Sequence, residues 1–213
     1  KILGMTPSVQ NAGTVVNKGI DLSIQHRNII GDFSYSIAGN LSYVKNRVKK
    51  LANVERDIDG GLFVGYSLES IYGYVTDGFF NSQEEIDNYA KQPRTAKPGD
   101  LKLVDISGPD GVPDGVVNAD YDRKIIGDKF PNWNFGLNMN VGYKQVDFLL
   151  NMSGVAGMHR LIDGFQANAF YWGSNPQEWM AKGHWTETNH DATYPRMLIL
   201  GGNEPQLYTS TYR

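Results

Sequence analysis

Oxygen donors crowd one short stretch of this sequence. Asp110-Gly111-Val112-Pro113-Asp114-Gly115-Val116-Val117-Asn118 places oxygens at positions 1, 5 and 9 of a calcium-type loop and glycine at position 6. Val112 and Tyr121 stand at the third and twelfth positions, where the pattern asks for carboxylates or amides, and Asp120 and Asp122 flank the twelfth. Asp110, Asp114, Asn118, Asp120 and Asp122 are therefore the candidate ligands for one calcium ion, the sole candidate cofactor. A plainer reading competes: in a turn-rich loop, Asp and Gly serve backbone geometry.

Other chemistry is thinner. His184 and His190 flank Trp185 with Glu187 and Asp191 nearby, but two histidines six apart in a loop do not make the three or four fixed ligands that zinc needs. There is no Gly-x-Ser-x-Gly elbow and no glycine loop followed by Lys and Ser/Thr. Glu84 and Glu85 are neighbours on a short helical segment, where adjacent side chains point apart and acidic groups favour the N-terminus. No constellation supports an enzyme.

Aromatic residues offer a different function. Phe170, Tyr171, Trp172, Trp179 and Trp185 cluster with Asn168, Asn175 and Gln177. Sugar rings stack on exposed aromatic faces and exchange hydrogen bonds with amides, so Trp172, Trp179, Trp185 and Asn175 are the candidate substrate contacts. The competing role is packing of loops onto one another or onto a partner.

The elements that carry these residues read as strands. Ile20, Leu22 and Ile24 alternate with Asp21, Ser23, Gln25 and Arg27; after a turn near 28–32, Phe33, Tyr35, Ile37, Leu41 and Tyr43 oppose Ser34, Ser36, Asn40 and Ser42. Period-two alternation marks a strand with one apolar and one polar face, so a first hairpin is expected over 17–48. A second occupies 132–153 within a 132–160 segment. Trp133, Phe135, Leu137, Met139, Val141 and Tyr143 alternate with asparagine and glycine, a turn follows at Lys144-Gln145, and a strand begins at Val146. Asparagine is a poor strand former, and a row of it suits a wall that faces water inside a barrel.

Spacing selects the outer medium. Phe33 to Tyr43 is ten residues on one face, and so is Trp133 to Tyr143. At about 3.3 Å per residue and a tilt of roughly 40°, that is about 25 Å of height, the apolar band of an outer-membrane barrel with an aromatic girdle at each edge. Phe33, Tyr43, Trp133 and Tyr143 are therefore assigned to the lipid interface. Long insertions alternate with short turns, as in such barrels: 51–131, with a helix after Asn81-Ser82, and 161–213 are expected to be extracellular. The fold class is thus all-β, antiparallel strands of a large transmembrane barrel with long extracellular loops. A β-sandwich with long strands, serving as a soluble carbohydrate-binding module, is the alternative.

Composition agrees. Aromatics are 12%, glycines number 24, and only 20% of residues are charged, which excludes a charged disordered chain. A net charge of −3 gives no sign of a nucleic-acid partner, which would normally need a clustered basic face. Cysteine is absent, so disulfide and thiolate chemistry are too. No apolar run reaches a spanning helix, a test that barrel strands escape.

Specific strings then add a family. Ser70-Ile71-Tyr72-Gly73-Tyr74-Val75-Thr76-Asp77-Gly78-Phe79-Phe80 precedes Ala96-Lys97-Pro98-Gly99-Asp100-Leu101-Lys102, Asp105, an Asp/Gly-rich turn, Asp122-Arg123 and Ile126-Gly127-Asp128. Pro131-Asn132-Trp133-Asn134-Phe135-Gly136-Leu137, Tyr143-Lys144, Val146-Asp147-Phe148, Trp185-Thr186-Glu187 and Tyr194-Pro195-Arg196 follow. In order and number, these strings resemble the C-terminal barrel region of the SusC/RagA family of TonB-dependent outer-membrane transporters, over roughly residues 13–213. The resemblance implies a 22-stranded barrel filled by an N-terminal plug, a SusD-like surface lipoprotein as its lid, and TonB-driven import of glycans or peptides across the bacterial outer membrane. It also implies that this chain is a fragment without the plug, through which TonB would act, and without the final strands.

Overall fold

The computed structural model describes residues 13–52, 54–162 and 164–198, except for the side chains of Phe165 and Trp172. Among these residues the long elements are β1 (Gly13–Ile30), β2 (Phe33–Leu51), β9 (Trp133–Tyr143) and β10 (Val146–Ala156). Between them lie β3 (Arg56–Asp57), β4 (Leu62–Phe63), β5 (Ser70–Tyr74), β6 (Thr76–Phe79), α1 (Gln83–Asp87), β7 (Leu101–Leu103) and β8 (Arg123–Asp128), with α2 (Glu178–Gly183) after them. No described helix is long and apolar enough to cross a membrane. The chain divides into two compact units, one of residues 1–70 and 128–159, the other of 71–127 and 160–213.

The first unit is built on an open antiparallel sheet in the order β1-β2-β9-β10. Its first hairpin runs from 13 to 51, longer at both ends than the alternation at 17–48. The turn is also tighter than expected, reduced to Gly31-Asp32 with Gly31 at φ +61°, a value glycine adopts without steric cost. Ile29 and Ile30 hide this in the sequence: consecutive apolar residues look like lost alternation, yet each takes an opposite face of a continuing strand. The second turn, Lys144-Gln145, has Lys144 at φ +54° with its ammonium 5.3 Å from the centre of the Tyr143 ring. Lys144 N–H donates to the Asp32 carbonyl at 3.1 Å, which ties the two turns together.

Register makes the two faces continuous across four strands. Rows Ile20–Tyr43–Trp133–Ala156, Leu22–Leu41–Phe135–Gly154 and Ile30–Phe33–Tyr143–Val146 lie on one face. Rows Asp21–Ser42–Asn134–Val155 and Gln25–Ala38–Asn138–Asn151 lie on the other. Since side chains alternate strictly in a strand, a one-residue slip in any ladder would scramble both faces.

The second unit holds small cores. Tyr74, Leu103 and Val117 form one, with Ala90 and Leu101 against it. β6 and β7 pair through Thr76–Leu103 and Phe79–Leu101. The Gln92 side chain mimics one more strand, donating to the Leu103 carbonyl and accepting from the Leu103 N–H, each at 3.0 Å. Phe80 is fully buried, with Tyr89 edge-on at 5.4 Å; burial raises the Tyr89 and Tyr74 phenols above their ordinary pKa. Ala169, Met180 and Tyr194 form another core, flanked by Phe170 and Met197.

Candidate functional site

The wall of the first unit is its most distinctive surface. Ile20 is 74% exposed, Leu22 52%, Phe148 54% and Met152 56%, all on the apolar face. Isolated exposed apolar side chains are ordinary, but a continuous field of them is not. The aromatics sit at its two ends: Tyr43 and Trp133 are cross-strand partners with ring centres 4.6 Å apart, and Phe33 faces Tyr143 at the other end. All four expected interface aromatics therefore share one face, in two rows ten residues apart.

The opposite face is polar and has a hollow. About 480 Å³ of space lies over Asp21, Ser23, Asn40, Asn134, Gly136 and Ser153. Gly136 forms its floor, and Asn40 leans over it so closely that a Cβ there would meet the Asn40 amide oxygen at 2.5 Å. Ser42 Oγ donates to Asp21 Oδ1 across the strand pair at 2.5 Å. The sequence marks the asparagine row as a wall but does not reveal the hollow, which arises where glycine and serine from neighbouring strands come into one register.

In the second unit the Asp-rich loop is held by its own backbone. Asp122 is fully buried; its Oδ1 accepts from Ile106 N–H at 2.8 Å and Ser107 N–H at 3.1 Å, its Oδ2 from Asn118 N–H at 2.7 Å. Asn118 Oδ1 accepts from the Asp120 and Tyr121 amides, and Asp114 Oδ1 from Val116 N–H. Asp110 and Asp120 are exposed. Among the described residues no group of three His, Cys, Asp or Glu is arranged to hold a metal ion. Asp122, Asn118 and Asp114 thus commit side-chain oxygens to the backbone of their own loop, and a sequence motif cannot show which of two acceptor roles an Asp will take.

The loop aromatics separate. Trp185 is 6% exposed; its Nε1 donates to Asn81 Oδ1 at 2.9 Å, and His190 stacks on it at 5.4 Å, leaving little ring for a ligand. Trp179 is 47% exposed, edge-on to Tyr194 at 5.2 Å with Nε1 donating to Gln177 Oε1. Asn175 is exposed. Trp172 lies in a 3-10 turn, Tyr171–Gly173, and its side chain is outside the described residues. Phe170, which precedes that turn, has φ +58°, an uncommon conformation for a bulky residue. Of the expected contacts, Trp179 and Asn175 are thus the two seen to be accessible.

No family model matches the chain. It is 32% identical over 160 residues, 69% of its length, to TonB-dependent receptor P3 of Formosa agariphila, and 27% identical over 208 residues to TonB-dependent receptor P26 of the same organism. It spans 15% and 20% of those relatives' lengths. Among solved structures it is similar to the RagAB peptide transporter, at TM-score 0.65 and 20% identity over 96% of this chain and 22% of that one. The RagAB peptide importer in its open-open state matches at TM-score 0.62 and 18% identity, covering 97% of this chain and 21% of that one. The four-stranded ribbon, its two faces and these likenesses together identify the chain as a barrel segment of a TonB-dependent receptor, with the fold seen in the RagAB structures.

Proposed function

We propose that this chain is part of the wall and outer loops of a bacterial outer-membrane transporter that imports oligosaccharides or peptides. The observation that carries the reading is the exposed apolar face bounded by two aromatic rows, which needs hydrocarbon against it. A soluble carbohydrate-binding module would bury Leu22 and Phe148 in a core, and here both are exposed.

On this reading the short turns at Gly31-Asp32 and Lys144-Gln145 face the periplasm, and the segments 51–131 and 161–213 face outward. The polar face lines the aqueous lumen, and Trp179 and Asn175 contact arriving substrate. Energy comes from TonB through a plug lying elsewhere in the protein. A SusD-like lipoprotein closes the outer mouth, as the similarity to RagAB supports. No bond is made or broken in transport.

The test uses the full-length parent in its native envelope. Cells carrying it should accumulate labelled oligosaccharides or peptides, and a protonophore, which removes the energy that TonB delivers, should stop accumulation. A parent protein that is soluble without detergent would overturn the proposal.

A further inference from the structure

Every formal charge on the apolar face lies at one end of it. In chain order the β1 residues on this face are Thr14, Val16, Lys18, Ile20, Leu22, Ile24, His26, Asn28 and Ile30; β2 adds Lys45 and Arg47 beyond Tyr43 and, past a bulge, Lys50 opposite Thr14, while the face-sharing residues of β9 and β10 carry no charge. Lys18 and Lys45 are direct cross-strand partners, one step past the Ile20–Tyr43 row, and Arg47 faces Val16 one step further. Lys18, Lys45, Arg47 and Lys50 are all exposed. No acidic residue shares the face, and no described ion pair includes any of these four.

Like charges directly opposed across a strand pair destabilise it. Basic residues on an edge strand can discourage aggregation, but that role asks for one lysine on β1, not for a facing lysine and an arginine on β2. Three cations in two adjacent rows instead fit an anion that bridges strands. Two residues beyond the aromatic row add about 5 Å of height at barrel tilt, which is the level of lipid headgroups above a girdle.

We infer that Lys18, Lys45 and Arg47 form a binding site for phosphate-bearing lipid headgroups of the leaflet beside the Tyr43–Trp133 girdle. The inference rests on the proposed membrane-barrel reading and deepens it. Two lysine point charges flank a phosphate while the arginine fork takes its oxygens in pairs, and the bound anion relieves the repulsion within the ladder. Nothing at the opposite girdle repeats the arrangement, since the Phe33–Tyr143 end has only the turn residue Lys144.

The experiment uses the purified full-length parent protein in detergent, titrated with phosphatidic acid, with phosphatidylcholine and with inorganic phosphate, and reads bound lipid by native mass spectrometry. Phosphatidic acid should bind in preference to phosphatidylcholine. Each charge removed in Lys18→Gln, Lys45→Gln and Arg47→Gln should weaken it about fivefold. Lys144→Gln at the other end should leave binding unchanged, and all variants should insert into phosphatidylcholine vesicles. Equal binding of both lipids, or unchanged binding in the triple variant, overturns the site while leaving the barrel intact. Equal occupancy by inorganic phosphate overturns the assignment to lipid. Failure of the wild-type protein to insert into any vesicle overturns the barrel reading itself.

Discussion

Phe135 lays its ring over Gly154, its direct partner across the β9/β10 ladder; a Cβ added at 154 would come within 2.5 Å of two ring carbons. An aromatic covering a cross-strand glycine shields backbone that would otherwise be bare on the apolar face. Gly154→Val would expel the ring, and overpacking of this kind costs about 1–3 kcal/mol. Urea unfolding of the full-length protein in vesicles should show that loss, and Phe135→Leu placed on top of Gly154→Val should recover part of it.

Leu137 and Asn138 are neighbours on β9 and face opposite media. Leu137 lies on the apolar face between the two aromatic rows, and Asn138 is registered with Ala38 and Asn151 on the polar face. Arginine at mid-bilayer depth costs about 2–4 kcal/mol in a barrel, whereas a substitution on a wetted wall is expected within about 0.5 kcal/mol. Leu137→Arg should therefore shift the unfolding midpoint and Asn138→Arg should barely move it. Equal effects would mean that both faces meet the same medium.

Much of this architecture is legible in the residues, and the gaps have physical causes. Trp133 and Tyr143 can be put on one face from the sequence because period two survives any error in strand ends: they share a face wherever the strand begins. The first turn could not be placed, because Ile29-Ile30 breaks the visible alternation without breaking the strand. The Asp-rich loop was ambiguous for another reason. An Asp that accepts backbone N–H groups, as Asp122 does, and one that ligates a cation require the same residue type. The hollow over Gly136 was invisible, since it depends on which residues of β1, β2 and β10 stand beside it. Trp185 and Trp179 are six apart in the sequence, yet only the packing of Asn81 and His190 around Trp185 separates a buried ring from an accessible one.

Asp100 and Arg196 fasten two distant loops of the second unit. Arg196 Nε donates to Asp100 Oδ1 at 2.7 Å and Nη2 to Oδ2 at 3.2 Å, while Lys97 N–H also donates to Oδ2. Beside them Gly99, at φ +88°, makes room for Trp185, whose ring a Cβ would meet at 2.5 Å. Asp100→Asn should cost about 2 kcal/mol, the scale of a hydrogen bond to a charged group. Amide exchange should quicken at Arg196, whose N–H bonds the Gly99 carbonyl. Arg196→Lys should not restore protection, because an ammonium cannot reproduce the two-pronged contact.

Glu85 gives helix α1 a dependence on pH. Its Oε2 accepts from Asn81 N–H at 2.7 Å, its Oε1 accepts from Lys102 Nζ at 2.6 Å, and its own N–H donates to Ser82 Oγ at 3.1 Å. This is close to a capping box, with the carboxylate reaching one residue further back. The Asn81 N–H first, and the Lys102 ammonium second, hold the carboxyl below its ordinary value of 4.5. A carboxyl whose folded pKa is depressed stabilises the fold fully above its unfolded value and loses that contribution as pH falls through the folded one. Protection of the α1 amides should therefore be constant at neutral pH and decline on acidification below about 4.5. In Glu85→Gln the loss should be present at every pH, with no acid-dependent step. An acid step that persists in that variant would place its origin in another carboxylate of the loop.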